Sequence, residues 1–282
     1  MIYTFKSFFL FFLCSLIPLN VSGEDRSYEW FSKRCLFPLL EYDLLEVQPY
    51  AGMHLIKAEN VMYDGVYIPV NIAFRKSALQ WEMLNMRFDL AIGVGAYTQF
   101  EIIRFDENTL RGGLLNTDFK ASGFLFGAKG NHNIRMQLFH ISSHLGDDYM
   151  LRNNDFTLNN KSVNYEQLDV TYLYNLNAWD IYGGMGVVIN ANAYRDRFMW
   201  QIGFQTNIPI KPKIDLSFGG DIKVYEENDF IPDAHAAIGI SLKQRDRQQV
   251  NFSLDGFIGN LPYSTLDFGK VFWIGLSTRV YL

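Results

Sequence analysis

From Met136 to Tyr149 the chain runs Met-Gln-Leu-Phe-His-Ile-Ser-Ser-His-Leu-Gly-Asp-Asp-Tyr, which gathers nucleophilic and ionisable groups at short spacing. His140, Ser142 and His144 are two apart. On a strand they would share one face with Met136 and Leu138, while Arg135, Gln137 and Ser143 take the other. If arginine and glutamine face a wet lumen, His140 and Ser142 face lipid near the membrane edge. A serine hydroxyl becomes a nucleophile only beside a base, and a histidine base needs a third group to hold its tautomer. Asn154, twelve positions after Ser142, is a candidate for that third group. Two other roles stay open. Asp147 and Asp148 with His140 or His144 could hold a metal, although the set matches no recognised ligand spacing. Alternatively, Ser142 to Tyr149 is a strand end and a hydrogen-bonded turn, with Gly146 supplying backbone freedom and Asp147 capping.

The elements that would position these groups are strands. Leu84, Met86, Phe88, Leu90, Ile92 and Val94 alternate with Asn85, Arg87, Asp89, Ala91, Gly93 and Gly95, so one face is apolar and the other is not. The pattern recurs in Phe198, Trp200, Ile202 and Phe204, in Ile214, Leu216, Phe218, Ile222 and Val224, and in Val250, Phe252 and Leu254. A soluble sandwich alternates too, but long strands, an export signal and a chain that stops on its last strand favour a membrane barrel. Phe272, Ile274, Leu276, Val280 and Leu282 carry the outward ladder to the last residue, with Thr278 the one break. The fold class expected is therefore all-β, a closed antiparallel transmembrane β-barrel. About twelve strands are predicted, near 48–57, 65–75, 83–101, 117–128, 133–143, 163–175, 178–190, 197–207, 212–225, 234–244, 248–258 and 271–281. Turns are expected at Lys129-Gly130-Asn131, at Asn175-Leu176-Asn177 and from Ile208-Pro209 through Pro212. Asp89, Arg87, Glu101, Lys213, Asp215, Asp221 and Lys223 fall on inward faces, where they would pair across the lumen and leave no wide pore.

Residues 1–23 read as a cleaved secretory signal, with Lys6 its only charge, an apolar core from Phe8 to Leu16 and small residues before Glu24. Cys14 could mark a lipidated N-terminus, but Leu13 stands where such a signal needs a small residue. Residues 24–47 show no strand period and are expected to be a periplasmic lead-in or a plug, ahead of a barrel over 48–282. Once the signal is removed Cys35 is the only cysteine left, so no intramolecular disulfide can form. The formal charge of −5 has no basic cluster behind it, which argues against nucleic acid as a partner. Past the signal no run of about 18 apolar residues survives, so helical membrane spans are not expected.

The His-x-Ser pair with Asn154 twelve residues on resembles outer-membrane phospholipase A, also a twelve-stranded barrel, and more loosely the lipid A deacylases. That resemblance implies Ser142 as nucleophile, His140 as base and Asn154 as orienter, with calcium a cofactor only by analogy. The phospholipase continues with Asn-Gly where this chain has Ser143-His144. A broader resemblance, over most of the mature chain, is to a family of bacterial outer-membrane proteins of unknown function. Its mark is His-x-Ser-Ser-His-Leu-Gly-Asp-Glu, here His140 to Asp148 with Asp148 for the glutamate. Leu36-Phe37-Pro38-Leu39-Leu40, Tyr97 to Glu101, Asn116-Thr117-Asp118, Leu151-Arg152, Tyr165-Glu166 and Tyr182 to Gly186 match as well. The resemblance implies an outer-membrane location and a barrel.

Three functions follow as expectations: an undefined envelope role, a lipid ester hydrolase at the membrane edge, and a narrow diffusion channel. A lumen of twelve strands argues against a general porin, because open aqueous porins use about 16. The partners expected are membrane lipids or lipopolysaccharide and the barrel assembly machinery. Oligomeric state is not legible, and apart from calcium by analogy no cofactor is implied.

Overall fold

A computed structural model describes residues 28–59, 65–104, 110–153, 163–191, 195–243, 249–262 and 269–281. The signal expected over 1–23, Asn154 and Leu282 lie outside them. A short strand β1 (Tyr28–Trp30) is followed by twelve long ones. These are β2 (Tyr50–Ala58), β3 (Gly65–Met83), β4 (Met86–Arg104), β5 (Leu110–Lys129), β6 (His132–Leu145), β7 (Asn164–Leu176), β8 (Trp179–Ala191), β9 (Phe198–Lys211), β10 (Ile214–Tyr225), β11 (Asp233–Lys243), β12 (Gln249–Asn260) and β13 (Lys270–Tyr281). A seven-residue helix α1 (Asp147–Asn153) lies between β6 and β7. Each long strand pairs antiparallel with its sequence neighbour, and β13 pairs with β2, from Arg279 opposite Tyr50 to Val271 opposite Ala58. The ring is closed. Closure answers the membrane's main demand, since each unpaired backbone amide in hydrocarbon costs several kcal/mol.

The outer face is apolar, as the alternation predicts. Ile72, Ile92, Val94, Ile202, Ile238, Phe252 and Leu276 are exposed, while their strand neighbours Asn71, Asp89, Gln201, Asn251 and Ser277 are buried. This inversion of a soluble protein's burial is what lipid requires of the outside of a barrel. Tight turns join β3–β4, β5–β6 and β7–β8 at one end, and β13 finishes there. Aromatic side chains gather near that end: the buried Trp81 stacks on Phe88 at 5.5 Å, and on the outside Trp179 meets Phe204 and Phe218 at 5.9 and 5.3 Å. Rings of this kind belong at a membrane interface.

Three expected boundaries move by four residues or more; β5 begins at Leu110 rather than 117. β3 runs eight residues past its predicted end and turns at Leu84-Asn85, which adopt φ of 54° and 58°. Leu84 is thus a turn residue and not the first outward residue of β4. A bulge between Ser77 and Leu79 breaks the parity that would have shown the strand continuing. Likewise Ile208 and Pro209 stay within β9, opposite Leu216 and Asp215, and the chain turns only at Pro212-Lys213.

β3 is much longer than β2, which begins opposite Asn71. Beyond that level the exposed edge of β3 is taken up by β1, with Tyr28 opposite Trp81 and Trp30 opposite Leu79. From there residues 32–48 fold into the lumen. Phe37, Leu40, Leu45 and Val47 pack with the inward Tyr97, Phe124, Phe126, Tyr182, Phe257 and Trp273 as one buried cluster. Several inward charges meet this segment rather than one another. Glu46 accepts from Arg135 at 2.6 Å and lies 3.7 Å from Arg75; Asp43 takes Lys223 at 2.6 Å; and Lys120 donates to the Leu45 carbonyl at 2.8 Å. Wall-to-wall pairing, as expected from the sequence, occurs at Asp255, which holds Arg279 at 2.6 Å and His235 at 3.2 Å, and at Asp215, which meets Lys243 at 2.5 Å. Two lumen cavities measure about 20 and 10 Å³, room for roughly one water each.

Candidate functional site

β6 carries the chemical groups and its pleat sorts them. His140 and His144 are exposed on the outside and Ser142 is half-buried beside them, whereas Ile141 and Ser143 are buried inside. Across a hydrocarbon layer a tilted strand needs 9–11 residues. His140, Ser142 and His144 are the ninth, eleventh and thirteenth residues of β6 from its tight-turn end, so they lie where the strand leaves the apolar band. Below them on the same face are Leu138, Met136 and Ile134.

Ser142 Oγ lies 3.0 Å from His144 Nε2. The His140 ring is turned away to β7, where Nδ1 meets Glu166 Oε1 at 3.0 Å. Glu166 in turn accepts at Oε2 from Asn190 Nδ2 of β8 at 2.6 Å. The expected Ser142–His140 contact is therefore replaced by two adjacent pairs, Ser142 with His144 and His140 with Glu166. Register explains the second, since His140 faces Glu166 directly across the β6–β7 ladder. The His140 side chain is 47% exposed and that of Glu166 38%, so both can be reached from the lipid side. His144 also meets Phe119 of β5 edge-on at 5.9 Å.

Ser143 has the opposite fate. Its hydroxyl bonds the Asp118 carboxylate and Asn116 inside the barrel, and its amide donates to the Val163 carbonyl at 3.0 Å, which spends that amide before any oxyanion could use it. After Leu145 the strand ends through Gly146, whose amide donates to Leu115 O at 2.8 Å. A Cβ there would sit 2.1 Å from the Leu114 carbonyl oxygen, so only glycine allows the approach. The carboxylate bonding backbone next to it is that of Asp148, to the Leu114 amide at 2.9 Å, and not that of Asp147. Gly146 and Asp148 are thereby architectural, as the turn interpretation of this stretch expects. Among the described residues no group of three or more His, Cys, Asp or Glu converges as a metal site.

Glu166 and Asn190 were absent from the sequence-derived set. Tyr165-Glu166 was visible as a family-matching piece, but only strand register ties it to His140.

The sequence pattern of one family, Protein of unknown function (DUF1207), matches residues 66–280, which include this polar group, nine complete strands and all but one residue of two more. The chain belongs to the DUF1207 family. No curated protein matches it in sequence. Its fold is similar to the outer membrane phospholipase dimer of Salmonella typhi with bound calcium, at 14% identity over 89% of this chain and 94% of that one, with a TM-score of 0.53. Outer membrane phospholipase A from Escherichia coli is similar at 14% identity over 87% and 99%, with a TM-score of 0.52. An active-site mutant of the same enzyme, with alanine for an asparagine, matches at a TM-score of 0.53. At this identity the likeness establishes the architecture, and this DUF1207 chain is an outer-membrane-type β-barrel whose outer wall would contact membrane lipids.

Proposed function

We propose that the protein resides in a bacterial outer membrane and hydrolyses lipid esters at the membrane edge, with Ser142 as nucleophile, His140 as its base and Asn154 in a supporting place. One observation carries this: on the outer wall, near the end of β6, the Ser142 hydroxyl lies 3.0 Å from His144 Nε2 with His140 two residues to its other side. Substrates of matching chemistry are phospholipids and the ester-linked chains of lipopolysaccharide. Export by the signal over 1–23 and insertion by the barrel assembly machinery are part of the same proposal. The phospholipases of like fold lend the analogy, one of them with calcium bound. Among the described residues no three or more His, Cys, Asp or Glu side chains converge as they would around such an ion.

A general envelope role without catalysis is the second reading, supported by the architectural use of Gly146 and Asp148. Residues 32–48 fill the lumen as a plug would, and this weighs against a diffusion channel.

The test is ester hydrolysis by the purified, folded protein on detergent-dispersed phospholipid and lipopolysaccharide, with and without calcium. Ser142→Ala should abolish it, and Ser143→Ala should leave most of it, since that hydroxyl is bonded inside the barrel. Absence of hydrolysis by the wild-type protein under all these conditions would overturn the enzyme reading.

A further inference from the structure

We infer that Glu166, itself held by Asn190, is the positioning carboxylate that makes His140 the working base for Ser142. This rests on the hydrolase reading and names a residue that neither the sequence pattern nor the phospholipase analogy supplies.

The first argument is tautomeric. A carboxylate only accepts hydrogen bonds, so the 3.0 Å contact with Glu166 Oε1 places the proton on His140 Nδ1. That leaves a lone pair on Nε2, which is the atom a base must present to a serine. His144 is arranged the other way: its Nε2 is at Ser142, while among the described residues no acceptor is found at its Nδ1 to fix the ring's tautomer. Contact with Ser142 favours His144; preparation for proton transfer favours His140.

The second argument is rigidity. Glu166 is anchored at both oxygens, to His140 on β6 and to Asn190 on β8, so the chain of contacts crosses three hydrogen-bonded strands. A bulge at Glu166/Gln167 shifts the β7–β8 register just there, bringing Asn190 opposite Glu166. Bulges characteristically re-aim a side chain. An exposed histidine held through two strands is a more elaborate arrangement than the single His132–Tyr172 contact at the other end of the same face.

The third is reach. His140 and His144 stand at equal spacing on either side of Ser142 on one face. Rotation about χ1 carries the Ser142 hydroxyl between staggered wells, from the His144 side towards the His140 side. In the step itself Oγ attacks the ester carbonyl carbon and its proton passes to His140 Nε2. The tetrahedral intermediate collapses by breaking the bond to the alcohol oxygen, which leaves with that proton as the lysolipid. Water, deprotonated by the same nitrogen, then hydrolyses the acyl-serine to fatty acid and free Ser142.

The experiment uses the full-length protein refolded in detergent, checked by heat-shifted gel mobility, with a p-nitrophenyl ester of medium chain length and a fluorophosphonate probe. Glu166→Gln should lower kcat by about 10²–10⁴-fold with little change in KM, as expected when a base loses the group that sets its tautomer. Glu166→Asp should restore part of that loss, and Asn190→Ala should cost about tenfold. If Glu166→Gln and His140→Ala keep the wild-type rate while His144→Ala is inactive, the assignment is overturned and the hydrolase reading stands with His144 as base. If the wild-type protein neither turns over the ester nor labels at Ser142, the hydrolase reading fails and this inference goes with it.

Discussion

Ser142 and Ser143 are neighbours in the chain and belong to two different proteins in physical terms. Ser143 is sealed in a lumen organised like the interior of a soluble domain, with an apolar cluster, desolvated ion pairs and hydroxyls bonded to carboxylates. Ser142 stands on a wall that is apolar for the length of the hydrophobic band and turns polar only at its rim. Inside, polar groups are paired because burial leaves them no water, and each pair is part of stability. Outside, a polar group among apolar neighbours contributes little to holding the strands together, which are already held by their ladders. A histidine, a glutamate and an asparagine linked across β6, β7 and β8 on that wall therefore ask for a reason other than stability.

The contrast breaks if substitutions inside and outside cost the same. Glu46→Ala removes the partner of the buried Arg135 and Arg75 and should destabilise the protein by about 3–5 kcal/mol, seen as a lower urea midpoint. The same measurement on Ser142→Ala should show a change within roughly 0.5 kcal/mol, typical of a surface site. Equal losses would mean that the outer polar group is structural.

Charge on the apolar wall sharpens the other side of the comparison. Leu276 is 65% exposed midway along β13, and Leu276→Arg should cost about 2–4 kcal/mol and lower the yield of heat-modifiable barrel. An unaffected yield would imply that this stretch meets water and not hydrocarbon.

The smallest effect is acid sensitivity of the lumen. Burial alone would raise the Asp43 carboxyl, but Lys223, Lys120 and Arg135 bring it down to about 2; Arg135 and Arg75 overcome the same burial at Glu46 and lower it too. Groups depressed in this way contribute stability that is present above their unfolded values and lost as pH falls through the folded ones. Stability should thus decline from about pH 4.5 towards pH 2. Glu41, raised by its burial, works in the opposite sense. Asp43→Asn should flatten the acid limb in a urea-midpoint series, and an unchanged limb would show that the ion pair is not what acid dissolves.

How much of this was legible depends on the interaction involved. All twelve barrel strands follow from a side-chain period of two, because lipid outside and packing inside impose it on every strand. The β3–β4 turn was hidden because Leu84 and Asn85 take positive φ without glycine or proline, and because the Ser77/Leu79 bulge resets the period. Pro209 looked like a turn residue and sits in a strand near its end. Residues 32–48 show no period since they touch walls on several sides rather than one. At the site, parity alone placed His140, Ser142 and His144 outside and Ser143 inside. The partner of each was not legible, as it depends on rotamers and on the β6–β7 register.

The lumen segment has a consequence for how the molecule is made. Tyr42 O meets His235 Nδ1 at 2.7 Å across 193 residues of sequence, and Tyr50 meets Ser277 at 3.0 Å across 227. If the chain is exported as proposed, N-terminus first, Phe37, Leu40 and Leu45 leave the translocation site long before the strands that will enclose them. Contacts this distant in sequence form slowly, since most of the chain must be ordered before any is rewarded. For that interval the apolar segment has no wall to shelter it. Delay, more than the strength of the finished barrel, is where its biogenesis is exposed to failure.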